Sequence, residues 1–167
     1  CRLVAGSALH CRAMIDPVAD IRLATADDKA SILRMMEAFN TFESIPFAVE
    51  RLAAAFDDLL AHPDWGVIHL AEVGGRPAGY TVLAYGFDFE FGGRDAFICE
   101  LWVDDRDRRM GVGTALLAAT EAYAKDHGVN ALHLIVRREN ARAQVIYRRD
   151  GFHFDPRLLM SKSLGGA

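Results

Sequence analysis

The stretch from Phe97 to Gly113 restricts this chain more than any other. Residues 97–103 form its most apolar strand pattern and run into Asp104-Asp105-Arg106-Asp107, then into Arg108-Arg109-Met110-Gly111-Val112-Gly113. Val112, Ala115, Leu116, Ala119 and Tyr123 then recur at helical spacing, and Gly128 ends the run. Glycines at such a turn let the backbone come close to a bulky ligand. The first amides of the helix have no partner within it, and with the helix dipole they make an anion site. A strand, a basic glycine-rich turn and a helix together can hold a pyrophosphate.

The rest of the chain supplies an α/β frame. Residues 21–24 alternate as a short strand, and Thr25 to Asp28 reads as a reciprocal helix cap. Ile32, Met35, Met36 and Phe39 follow at helical spacing. A second helix runs from Val49 to Leu60 and is stopped by His62-Pro63-Asp64. Residues 67–73 and 78–85 form a hairpin about Gly74-Gly75-Arg76. Residues 86–94 read as a looser stretch carrying Phe87, Phe89 and Phe91. Residues 132–136 make another strand, Asn140 caps a short helix closed by Gly151, and residues 152–154 and 158–161 are the last strand candidates. The order β α α β β β α β α β β predicts a mixed α/β sheet of about six or seven strands with about four helices. Residues 1–19 are expected to be an extension without function, and 20–167 a single domain; 167 residues suffice for one sizeable core.

Several nucleotide folds use a turn of this kind. A P-loop needs Gly-Lys-Ser/Thr, which is absent; the dinucleotide fingerprint needs a third glycine where Leu116 stands. Arg-x-x-Gly-x-Gly here, carried by Arg108, Gly111 and Gly113, resembles the central motif of the GNAT superfamily of N-acetyltransferases. Glu100-Leu101-Trp102-Val103-Asp104 resembles the strand ahead of that motif. Asn140, Ala143, Tyr147 and Gly151-Phe152 resemble the family's second motif. The similarity covers roughly residues 20 to 164.

The resemblance implies a GNAT fold with splayed central parallel strands, here 97–103 and 132–136, and acetyl-CoA as cofactor. Backbone groups of Leu101, Trp102 and Val103 would pair with the pantetheine. Amides of Arg109, Met110, Gly111, Val112, Gly113 and Thr114 would hold the pyrophosphate, with Arg108 and Arg109 adding charge. The alternative for these arginines is pairing with Asp104, Asp105 and Asp107. Asn140, Ala143 and Tyr147 would lie at the thiol end. Tyr147 is the acid the motif implies; its other reading is helix packing. Asn140 is a helix cap that the motif also places at the cofactor.

Direct transfer to an amine needs a base and an acid. Alternation puts Phe97, Cys99, Leu101 and Val103 on one face, and Ile98, Glu100 and Trp102 on the other. A carboxylate in an apolar strand is costly to bury unless it is paired or serves a site, so Glu100 is either the base or half of an ion pair; the resemblance also allows a water chain to carry the amine's proton away with no single obligatory base. Cys99 reads as inert packing in a buried strand, with an acyl-cysteine route as its alternative, and Phe87, Phe89 and Phe91 as a hairpin packed on the core, with lining of the acceptor mouth as theirs. The acceptor pocket is expected at Phe39, Phe42, Glu43, Tyr85 and Glu100, where aromatic and acidic groups suit a cationic small-molecule amine. A protein lysine or N-terminus is the alternative acceptor, and a non-catalytic acyl-CoA-binding domain the alternative function.

The net charge of −4 without long charge runs argues against nucleic-acid and anionic-membrane partners. No metal set is apparent: the three cysteines are scattered and the histidines lack ligand spacing. That cysteine usage fits a reducing cytoplasm, and a homodimer is an expectation from the family alone.

Overall fold

The computed structural model describes residues 18–164. Residues 1–17 of the expected extension 1–19 lie outside them, whereas Ala19 is buried in the core with Ala71, Val103, Val112 and Leu116. The chain divides into two compact units, one ending at His133 and one beginning at Leu134.

In the first unit, strands β1 (Asp20–Leu23), β2 (Gly66–Val73), β3 (Arg76–Asp88), β4 (Gly93–Val103) and β5 (Ala131–Leu134) lie in that order in one sheet. β1 to β4 are antiparallel neighbours. The Asn130 amide donates to the Arg94 carbonyl and the His133 ring lies against Phe97, so β5 runs parallel to β4 and stops well short of Val103. Helices α1 (Lys29–Glu43) and α2 (Val49–Ala61) cover one face, and α3 (Val112–Asp126) covers the other.

Each face has its own core. Ile32, Met35, Met36 and Phe56 from α1 and α2 meet Ile68, Leu70, Tyr80 and Trp102. Val112 and Leu116 from α3 meet Ala71 and Val103. Burying a side chain of that size stabilises by about 1.5–3 kcal/mol. The Asp28 carboxylate closes the short 3-10 turn at 26–28 that leads into α1, accepting from the Thr25 amide and hydroxyl at 2.8 and 3.0 Å, and it also takes Arg22 at 2.7 Å. Gly74 and Gly75 both have left-handed backbones, as the tight β2–β3 hairpin requires.

Three expectations change. The stretch 86–94 is mostly strand: β3 runs to Asp88 and β4 starts at Gly93. The turn between is closed by the Gly92 amide on the Phe89 carbonyl and the Glu90 amide on the Asp88 side chain. Phe87 and Phe89 are exposed at its tip instead of packed on the core; only Phe91 turns inward, against His133. Among the described residues the sheet has five strands, not six or seven, because 152–164 contains none. There Asp155 accepts from the Arg157 amide and turns the chain about Pro156.

The third change is a bulge. Leu83 pairs with Ile98 and Val82 with Glu100, so Cys99 has no partner in the ladder. One extra residue reverses the faces on one side of it. Ile98 therefore shares the α3 face with Leu101 and Val103, and Phe97 shares the α1 face with Glu100 and Trp102, contrary to strict alternation. Cys99 is exposed and not core packing.

A buried polar set ties α3 to the sheet. The Thr81 and Thr120 hydroxyls are 2.9 Å apart, and Thr120 lies 3.3 Å from His69 Nδ1. Burial pushes the His69 pKa down to about 4. The folded chain thus binds fewer protons than the unfolded chain between about 6.5 and 4, so His69 favours folding above that window and this contribution is lost as pH falls through it. Denaturant titrations across the window should show stability falling at up to about 1.4 kcal/mol per pH unit. His69→Gln should remove that slope; an unchanged slope would assign it elsewhere.

Candidate functional site

The turn from β4 to α3 is built by its own carboxylates. Asp104 is buried, accepts from Arg34 at 2.9 Å and from the Trp102 indole at 3.2 Å, and its amide donates to the Ala78 carbonyl at 2.8 Å. Asp107 is buried and accepts both Nη atoms of Arg76 at 2.9 and 3.1 Å. That hydrogen-bonded guanidinium holds the Asp107 carboxyl below the usual carboxylate range. Arg108 turns back: its Nε donates to the Val103 carbonyl at 2.9 Å, it pairs with Asp105 at 2.7 Å, and its guanidinium lies 4.5 Å from the Trp102 ring centre. Arg108 and Arg106 are therefore engaged with carboxylates, Arg106 with Asp107, whereas Arg109 and Met110 are exposed.

Past Arg108 the backbone changes hand. Arg109 (φ 67°) and Gly111 (φ 91°) are both left-handed. A non-glycine residue there costs about 1 kcal/mol or more, and such turns point successive amides into an anion-binding concavity. The α3 ladder starts with the Ala115 amide on the Gly111 carbonyl, so the amides of Val112, Gly113 and Thr114 precede it. At Gly113 a Cβ would lie 3.6 Å from the Val103 side chain and 3.9 Å from that of Leu101, an ordinary contact, with no unusual φ, so the fold itself does not require this glycine.

On the α1 face stand Glu100 and Trp102, with Phe39 and Phe42 at 6.3 and 6.0 Å from the Trp102 ring. Glu43 is the last residue of α1. A cleft of about 540 Å³ opens over Trp102, lined by Arg34, Glu37, Thr41, Phe42, Asp105 and Arg108. Tyr85 is not in this group. It alternates with Thr81 and Leu83 onto the α3 face, where Arg94 covers its ring at 4.4 Å. Sequence reading missed Tyr80, which is fully buried and donates to Glu100 Oε2 at 2.5 Å. Burial pushes the Glu100 pKa up, and the Tyr80 hydrogen bond opposes that.

In the second unit, α4 (Ala141–Arg149) is capped as expected. Asn140 Oδ1 accepts from the Ala143 amide at 3.1 Å. Gly151 is left-handed (φ 97°), the Phe152 amide returns to the Tyr147 carbonyl, and the two rings meet edge-on at 5.9 Å. The Asn–Ala–Tyr–Gly-Phe segment is thus one locally closed helix.

A parallel β4–β5 pair with a left-handed turn at the head of α3 fits the expected class, and sequence comparison shows it. The chain belongs to the acetyltransferase (GNAT) family, whose model matches residues 32–152. An uncharacterised N-acetyltransferase of Methanocaldococcus jannaschii is 31% identical over 134 residues, covering 79% of this chain and 59% of that protein. This chain thus spans less than two thirds of that relative. A crystallised integron cassette protein from the Cole Harbour salt-marsh metagenome matches with TM-score 0.79 and 30% identity, covering 88% of this chain and 91% of its own. An aminoglycoside N-acetyltransferase solved with CoA shares the fold at TM-score 0.76 and 17% identity, over 88% and 95% of the two chains.

Two glycines test the local account. A Cβ at Gly79 would lie 2.6 Å from the Trp102 carbonyl, so Gly79→Ala should cost about 1–3 kcal/mol. Gly113→Ala should leave thermal stability equal or slightly higher. A Gly113→Ala variant that unfolds as readily as Gly79→Ala would show that the fold itself needs that glycine.

Proposed function

We propose that this protein is an N-acetyltransferase that moves an acetyl group from acetyl-CoA to a primary amine of a small molecule by direct transfer. The observation that carries the reading is the turn at Arg109–Gly113. It combines left-handed backbone, amides ahead of the helical ladder, and a glycine that the fold does not require. Family membership supports a CoA thioester as the phosphate-bearing ligand.

Bound acetyl-CoA supplies the activated acyl group. The amides of Arg109 to Thr114 hold its pyrophosphate, and the helix dipole of α3 adds partial positive charge there. Arg108 shapes the turn through Val103 and Asp105 and contributes charge. The edge of β4 at Leu101, Trp102 and Val103 extends past the end of β5 and can pair with an extended ligand as an added strand. Asn140 and Ala143 are the proposed contacts from the second motif. Glu100 takes the proton from the incoming ammonium, and burial, which raises its pKa, suits it to that task. Tyr147 Oη is the proposed proton donor to the leaving sulfur.

The α1 face supports a small cationic acceptor. Phe39, Phe42, Glu43 and Glu100 lie on or beside it, and the cleft over Trp102 is of small-molecule size, with Phe42 and Trp102 as aromatic walls and Glu37 and Asp105 set beside Arg34 and Arg108. Tyr85 is left out because the sheet separates it from Glu100.

Release of free thiol, followed over a panel of primary amines that includes polyamines and amino sugars, tests the reading. At least one small cationic amine should drive release, and Tyr147→Phe should lower turnover about tenfold or more with a smaller change in acetyl-CoA affinity. Clear CoA binding without release for any amine would favour a binding domain. Acetyl-CoA should also raise the melting temperature of the wild type more than that of Gly113→Ala. Equal shifts would remove Gly113 from the cradle.

A further inference from the structure

Tyr80 has no accessible surface and sits in the core between the sheet and α1 and α2. A phenol hydroxyl in such a place needs a partner. Its partner is a carboxylate from the next strand: Tyr80 Oη donates to Glu100 Oε2 at 2.5 Å. The ladder fixes this contact, since Tyr80 lies opposite Trp102 and Val82 opposite Glu100, making Tyr80 and Glu100 diagonal neighbours on one face. The bulge at Cys99 lies immediately before Glu100, at the point where the strand changes face. The tyrosine ring cannot move without disturbing Ile32, Met35 and Phe56.

We propose that Tyr80 is the positioning residue for Glu100: a rigid core hydroxyl ties down one carboxylate oxygen, Oε2, and so aims the other, Oε1, at the acceptor amine. This rests on the reading of Glu100 as the base. Tyr80 acts as a donor only, because burial and the adjacent carboxylate push its own ionisation far above the usual phenol range. Its hydrogen bond favours the charged carboxylate against the burial that disfavours it. Tyr80 and Cys99 are the titratable groups that interact with Glu100, and α1 brings Arg34 and Glu37 to the adjoining cleft. A Glu100 without Tyr80 would hold its proton to higher pH and be free to turn.

The test is Tyr80→Phe, which keeps the ring and removes the oxygen. Two readouts are needed: the titration of the Glu100 side-chain carbon by NMR in the free protein, and the pH profile of kcat/KM with an accepted amine. In the variant the carboxyl should titrate at higher pH, and the acidic limb of the profile should move up with it. kcat near neutrality should fall about tenfold, the scale of one charge-assisted hydrogen bond, with KM changed less. An unmoved carboxyl titration overturns the role of Tyr80 while leaving Glu100 as base. A titration that moves while the acidic limb stays, with the same limb surviving in Glu100→Gln, overturns the base reading and the positioning role with it. If Tyr80→Phe does not fold, the Tyr80 hydroxyl proton of the wild type decides by NMR: a downfield resonance that shifts as the Glu100 carboxyl titrates supports the proposal, and one that does not respond overturns it.

Discussion

Asp104 and Asp107 are buried on either side of a short turn, and much of the site depends on them. A carboxylate out of water is tolerated only with partners that meet its charge. Arg34 comes from α1 to Asp104, and Arg76 comes from the β2–β3 hairpin to Asp107. Each bridge ties the turn to a distant part of the first unit. The turn can then carry left-handed backbone at Arg109 and Gly111 without refolding. The strain is local, and the structure that maintains it is spread across α1, the hairpin and the sheet.

The bulge at Cys99 has a matching role in the strand. It lets one strand serve two cores out of strict alternation, with Ile98, Leu101 and Val103 toward α3 and Glu100 and Trp102 toward α1. The proposed base and the floor of the cleft thus share a face. The backbone that leads into the anion-binding turn is anchored on the other face by Val103 against Val112 and Leu116.

Much of this was legible in the sequence, for identifiable reasons. The helices α1 to α4 and the turn at Gly111 follow from apolar spacing, caps and glycine, all of which are local. The closed helix around Tyr147 was legible for the same reason: Asn140 and Gly151 act within a few residues of it. What could not be read was pairing across the sheet. Nothing near Asp107 points to Arg76, and nothing near Glu100 points to Tyr80, because both contacts are set by strand register. The bulge likewise has no composition signal at Cys99, and missing it misassigned Phe97 and Ile98. The five-stranded sheet and the exposed Phe87 and Phe89 show the same limit: an apolar or alternating stretch becomes a strand, or packs inward, only where a partner surface exists.

The central claim is that the amides at the head of α3 hold the pyrophosphate of a CoA thioester. Its most direct test is an amide NMR titration with CoA, and with pantetheine, which lacks the pyrophosphate. Saturable shifts are expected at Val112, Gly113 and Thr114 with CoA, and much smaller ones at the same amides with pantetheine. Saturation by CoA that leaves those three amides unmoved, with shifts elsewhere in the chain, would contradict it.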